Sequence, residues 1–189
     1  MPYPAEHRER TKEKIIRSAQ RLFNRRGFGA VSIDDVMSEA GLTRGSFYSY
    51  FKTKSDLYAQ AVAQIVCDKR EGADGNGHAV FSADGIVRDY LSVRHFEDVD
   101  GSCPMIGLPA DISRTDASVR KAFESALRLM VEVFEHDLTG GVQRAHKKAL
   151  AIASLCVGGM VLARSVEDRA LADELREAAL SAALTLGNW

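Results

Sequence analysis

Apolar residues recur at helical spacing along most of the chain, and no stretch alternates in the way a strand does. Ile15, Ile16, Ala19, Leu22 and Phe23 fall on one helical face, which predicts an amphipathic helix capped by Thr11 and stopped by Gly27. Ser32 and Asp35 have the spacing of a capping box, and Val31 with Val36 that of a hydrophobic staple, so a second helix is predicted over residues 33–40. Gly41 ends it, because glycine takes the left-handed conformation at little cost. Thr43 then caps a third helix over residues 44–51, whose Phe47 staples back onto Leu42. Thr53 and Asp56 form another box and open a fourth.

Further along, Leu57, Ala61, Val62, Ile65 and Val66 line that fourth helix to about residue 70, where a loop over 71–78 carries Gly72, Gly75 and Gly77. Ser82 caps a helix through Ile86, Val87, Tyr90, Leu91 and Arg94. Cys103, with Pro104 at the first helical position, starts another that ends near Arg114. Asp116 caps a longer helix through Phe123, Leu127, Met130 and Phe134, broken by Gly140 and Gly141. Two Ala- and Leu-rich helices, about 143–165 and 170–186, close the chain. The first is apolar on more than one side, so it needs cover on several faces, from its own body or from a twin subunit. Gly158 and Gly159 allow close backbone approach there.

The third helix carries the chemistry. At 3.6 residues per turn Phe47 and Phe51 share one face and read as core, whereas Arg44 and Tyr48 share another. Gly45 costs the helix roughly 1 kcal/mol relative to Ala, which fits a place where something bulky such as a phosphate comes close. Tyr48, Tyr50, Lys54 and the amide-rich start of the fourth helix put phosphate donors in a small area.

This pattern resembles the TetR family of one-component transcriptional repressors. The matching residues are Gly27, Phe28, Ser32, Ile33, Ala40, Gly41, Gly45, Phe47, Tyr48, Phe51, Lys54, Asp56 and Leu57, within residues 9–60. Tyr50 stands where the family usually has His, and Met37 where it usually has Ala; Tyr50 keeps a hydrogen-bonding group for phosphate. The resemblance implies an all-α protein of about nine helices, with a three-helix helix-turn-helix DNA-binding domain over residues 1–53 and a helical ligand-sensing and dimerisation domain over 54–189. Ser32, Thr43, Arg44, Gly45, Ser46, Tyr48, Tyr50 and Lys54 are then the expected DNA contacts. It also implies a homodimer through the last two helices, bound to a pseudo-palindromic double-stranded operator, that represses and is released by a small-molecule inducer.

Charge follows the same division. The chain carries a net charge of −1, yet residues 1–59 stand at +4 and the remainder at −5. Between His7 and Gly27 eight Lys or Arg face only Glu9 and Glu13. A basic head on an acidic body suits a protein whose one end alone meets DNA.

Candidate ligand-binding residues in the body are Tyr90, His95, Cys103, Met105, Phe123, Leu127, Met130, Phe134 and Met160, although the same residues at helical spacing serve equally as core. Cys103 offers an alternative, a redox- or electrophile-sensing thiol at a helix start. Cys67 and Cys156 read as core, and the three cysteines lack metal-ligand spacing. The five histidines group with no nucleophile or carboxylate, so neither an enzyme nor a cofactor or metal is implied. Glu97, Asp98 and Asp100 read as a solvated acidic loop. No apolar run reaches the roughly 18 residues of a membrane span, so a cytoplasmic location is expected.

Overall fold

A computed structural model describes residues 5–71, 82–107, 112, 115 and 117–189. Every regular element among them is helical: α1 (Ala5–Ala30), α2 (Ile33–Glu39), α3 (Arg44–Phe47), α4 (Lys54–Glu71), α5 (Ala83–Tyr90), α6 (Val93–Glu97), α7 (Pro104–Gly107), α8 (Ala117–Asp137), α9 (Val142–Arg164) and α10 (Arg169–Gly187). The all-α architecture is the one expected. Of the loop predicted over 71–78, Glu71 is the last residue of α4 and the rest lies outside the described residues, as do the Asp116 cap, the end of the Cys103 helix at Arg114 and the side chains of Ile65, Val66 and Cys67.

Local rules account for most boundaries, and the exceptions have physical causes. α1 begins before Thr11, whose hydroxyl donates to the His7 carbonyl one turn back (2.8 Å) and caps nothing. The stretch before it is rich in Glu and Arg, good helix formers, and Glu6 pairs with Arg10 one turn on (2.5 Å). Gly27, at φ 79°, breaks the helical path as predicted, but one more turn follows to Ala30. α2 carries both halves of its capping box: the Asp35 amide donates to Ser32 Oγ (3.0 Å) and the Ser32 amide to the Asp35 carboxylate (2.8 Å).

α3 is shorter than predicted. Regular helix ends at Phe47, and residues 48–51 continue as tight turns, with the Tyr50 and Phe51 amides both donating to the Phe47 carbonyl (2.9 and 3.0 Å). Thr43 occupies the cap position, but its side chain makes no cap bond; the Ser46 hydroxyl instead donates to the Thr43 carbonyl (2.7 Å). The single helix predicted after Ser82 is two. Ser92 accepts from the His95 amide (3.1 Å) and starts α6 afresh, while the Ser82 side chain makes no cap bond and the Ala83 amide donates to Asp137 (2.7 Å).

An aromatic cluster forms the core of the head. Phe23, Phe28 and Tyr58 meet with ring centroids 5.4–5.7 Å apart, and Phe47 meets Phe51 at 5.6 Å. The Tyr58 hydroxyl is buried without a hydrogen-bond partner, and burial pushes its pKa well up.

In the body α9 is the central helix, packed on α5, α6, α7, α8 and α10. By length and composition α9 could also cross a membrane, although Arg144, Lys147 and Lys148 interrupt its apolar run. Its apolar surface divides between contacts inside the body and an outer stripe that includes exposed Leu150 and Leu162. A Cβ placed on Gly159 would come within 2.5 Å of the Ala179 Cβ, so only glycine allows α9 and α10 to cross this closely; one on Gly158 meets nothing within 4 Å. Gly159→Ala is expected to lower stability by about 1–3 kcal/mol through overpacking, read by urea unfolding.

Candidate nucleic-acid interface

Gly41 turns the chain at φ 64°, and the Leu42 amide donates to the Met37 carbonyl (2.8 Å), which closes the end of α2. α3 then lies across α2, with Phe47 and Phe51 fully buried beneath it. Burial of that face turns the other outward. Tyr48 is 60% exposed, the Arg44 side chain is equally open, and a Cβ on Gly45 would meet no atom within 4 Å. Thr43 is exposed beside them, whereas Ser46 and Tyr50 are half-buried, with Tyr50 packed against the core.

Two of the expected contacts are engaged inside the protein. The Ser32 hydroxyl serves the capping box and donates to Asp35 (2.5 Å), and these bonds hold the Asp35 carboxyl below its ordinary range. Lys54 is half-buried, with Nζ 4.2 Å above the Phe28 ring and donating to the carbonyls of Phe28 (2.6 Å) and Val31 (2.7 Å). Burial lowers its pKa, opposed by Asp35. Sequence spacing assigned Lys54 to phosphate; in the structure two of its three N–H groups fasten the α1–α2 junction onto α4.

Two groups were not among the expected contacts. Arg8, on the early turn of α1, donates to the Ser49 carbonyl (2.9 Å) and so stands beside the end of α3. Asp34 forms an ion pair with Arg44 across the two motif helices. Only an earlier start for α1 would have exposed the first in sequence; the second reads there simply as an acidic residue in a helix's first turn. The basic face of α1 is also partly neutralised by ion pairs: Arg10 pairs with Glu6, Arg21 with Glu39 (3.1 Å) and Arg25 with Asp100 (2.5 Å).

The acidic loop is not merely solvated. Arg25 grips Asp100 through two nitrogens, which holds that carboxyl below its usual range, and Asn24 donates to the carbonyls of Asp100 (3.1 Å) and Ser102 (2.8 Å). From the other side Arg164 donates to the carbonyls of His95, Phe96 and Asp98, Arg169 pairs with Glu97 (3.0 Å), and buried Arg176 donates to the Leu91 carbonyl (2.8 Å). Residues 91–102 are thus clamped between α1 of the head and the last two helices.

The candidate ligand residues divide. Tyr90, His95 and Cys103 come together: the His95 and Tyr90 rings lie 4.9 Å apart, His95 Nδ1 is 2.7 Å from the Tyr90 carbonyl, and the Cys103 amide donates to His95 Nε2 (3.4 Å). Burial raises the Tyr90 phenol well above its ordinary pKa, with Cys103 and Cys156 adding to the rise. Met105, Met130, Phe134 and Met160 are buried core, and Phe123 is half-buried. Leu127 instead lines an open groove with Glu124, Glu135, His146 and Leu150. Cys103 is buried at the start of a four-residue helix, and a sensing thiol needs both access and thiolate character, so its packing disfavours the redox alternative.

The family described as bacterial regulatory proteins, tetR family, matches residues 15–61. Over 50 residues the chain is 44% identical to the uncharacterized HTH-type transcriptional regulator YerO of Bacillus subtilis (strain 168); the match covers 26% of this chain and 17% of that one, so it spans only a small part of that relative's length. A longer match, 28% identical over 160 residues, joins 80% of the chain to 85% of the HTH-type transcriptional regulator LmrA of the same strain. The crystal structure of a TetR transcriptional regulator from Legionella pneumophila superposes with a TM-score of 0.68 at 18% identity, covering 96% of this chain and 99% of that one. A head that carries the tetR-family pattern over residues 15–61 is thus joined to a body with the fold of a solved TetR-family regulator.

Proposed function

We propose that the chain acts as a homodimeric repressor in the cytoplasm, that α3 of each subunit enters the major groove of a pseudo-palindromic operator, and that a small-molecule inducer held in the body releases it. The observation that carries this reading is the division of α3 itself. Phe47 and Phe51 are buried, while Arg44, Gly45 and Tyr48 face solvent on a basic head. Thr43, Ser46 and Tyr50 flank them as phosphate or base contacts, and Arg8 adds a donor at the far end; Ser32 and Lys54 act by shaping the surface. The division at residues 53 and 54 falls at the start of α4, but Leu57 and Tyr58 belong to the head's core, so the functional head takes in the first turns of that helix.

Two heads are required on physical grounds. A one-turn recognition helix touches few base pairs, and each good contact discriminates by only about 1–3 kcal/mol. Exposed Leu162 and Leu150 on α9, Leu171 on α10, and the open space above Gly158 support an isologous contact between these helices and their counterparts. Binding then depends on the distance between heads. The clamp on residues 91–102 links α9 and α10 to α1, so a ligand near Tyr90, His95 and Cys103 that favours one body shape alters that distance. Its effect is limited to its differential affinity for the two shapes.

Selection from a randomised duplex pool tests the core of this proposal. Enrichment of a two-fold-related pair of half-sites, bound with an affinity that falls steeply with salt, is expected; an unenriched pool overturns it. Gly158→Leu is expected to convert the dimer to monomer in analytical ultracentrifugation without loss of helicity. Asp100→Ala is expected to leave the dimer intact but change affinity for the selected duplex by about 5-fold or more, as a coupling of roughly 1 kcal/mol demands, measured by fluorescence anisotropy.

A further inference from the structure

The two carboxylates in the first turn of α2 have different partners. Asp35 is bound to Ser32 within the capping box, with the positive charges of Arg26 and Lys54 near it. Asp34 takes no part in that box and reaches across the turn to Arg44, the first residue of α3. Both side chains of this pair are open to solvent, 56% exposed for Asp34 and 60% for Arg44. An ion pair this open to solvent stabilises the fold little, and Asp34 also complements the positive start of α2, but on the proposed DNA-facing surface its carboxylate opposes the approach of a phosphate.

Arginine alone is attracted to any phosphate, and that attraction carries no sequence information. With Asp34 against it, the pair has almost no net charge, so a phosphate gains little from Arg44 and meets a carboxylate as well. A guanine edge differs: its two acceptors, O6 and N7, match the guanidinium fork and bring no full negative charge close to Asp34. We propose that Asp34 is a specificity-determining residue that acts by positioning Arg44, suppressing its use as a phosphate contact and leaving base-edge recognition as its favourable engagement. This rests on the reading of α3 as the DNA-facing helix.

Asp34→Asn removes the charge and keeps the shape at an exposed site, and Asp34→Ser provides a second variant. Each variant of the whole 189-residue chain is titrated with the duplex selected by the wild type and with a scrambled duplex of the same composition, across a series of KCl concentrations. Both variants are expected to bind the scrambled duplex roughly 3- to 10-fold more tightly, with a salt dependence steeper by about one phosphate contact and a correspondingly lower selected-to-scrambled ratio. In an Arg44→Ala background the same substitution is expected to change neither affinity nor slope beyond the loss of one surface charge. Unchanged scrambled-duplex binding and slope in the single variants, or an equal gain with Arg44 absent, overturns the role of Asp34. A wild type that prefers neither duplex overturns the DNA-facing assignment itself, so the two failures are distinct.

Discussion

The exposed face of α3 depends on the burial of two rings. A helix of one turn has no stability of its own, since nucleation alone outweighs the bonds it forms. α3 keeps its shape because Phe47 and Phe51 are driven into the head's aromatic core, and once they are fixed Arg44 and Tyr48 have one direction left to face. Around that core the polar contacts serve registration. The Ser32–Asp35 box fixes the start of α2, Gly41 sets the angle of the turn, and the half-buried Lys54 ammonium bonds two carbonyls at the junction that α1, α2 and α4 share. A cation in that place also complements the partial negative charge of carbonyls near the end of α1.

Much of this was legible in sequence because it is local. The capping box spans three residues, the turn needs a left-handed residue that glycine supplies, and the spacing of Phe47 and Phe51 identifies a buried face whatever they pack on. Contacts between distant residues were not. Lys54 looks like a surface cation until the fold brings the Phe28 and Val31 carbonyls to it, and Asp100 looks solvated until Arg25, 75 positions earlier, lies against it. The meeting of Tyr90, His95 and Cys103 is likewise set by the break at Ser92, where a side-chain cap for a new helix outweighs continuation of the old one. The early end of α3 has the same character: helix-compatible residues follow Phe47, but the burial of Phe51 is met by a tighter turn.

Head and body pack together through α4 on α8 and α1 on α7, and polar groups add a second link. Arg164 satisfies the carbonyls at the end of α6, Arg176 reaches the Leu91 carbonyl from a buried position, and both Arg169 and Arg176 lie over the Phe96 ring at 4.8 and 5.4 Å. On the far side Asn24 and Arg25 hold the following loop. Guanidinium groups suit this task because their several donors have fixed geometry, so a small shift of α9 or α10 breaks specific bonds and is not absorbed by slack. The interior thus combines an apolar core that sets distances with a polar strap that sets orientation.

Amide hydrogen exchange on the full chain, with and without a saturating selected duplex, tests most directly whether α3 is the surface that meets DNA. If it is, amides of residues 43–48 and the first turn of α1 gain protection on binding, while those at the centres of α9 and α10 exchange as they do in the unbound protein. Saturated binding that leaves residues 43–48 unprotected, with the gain on another face, would contradict it.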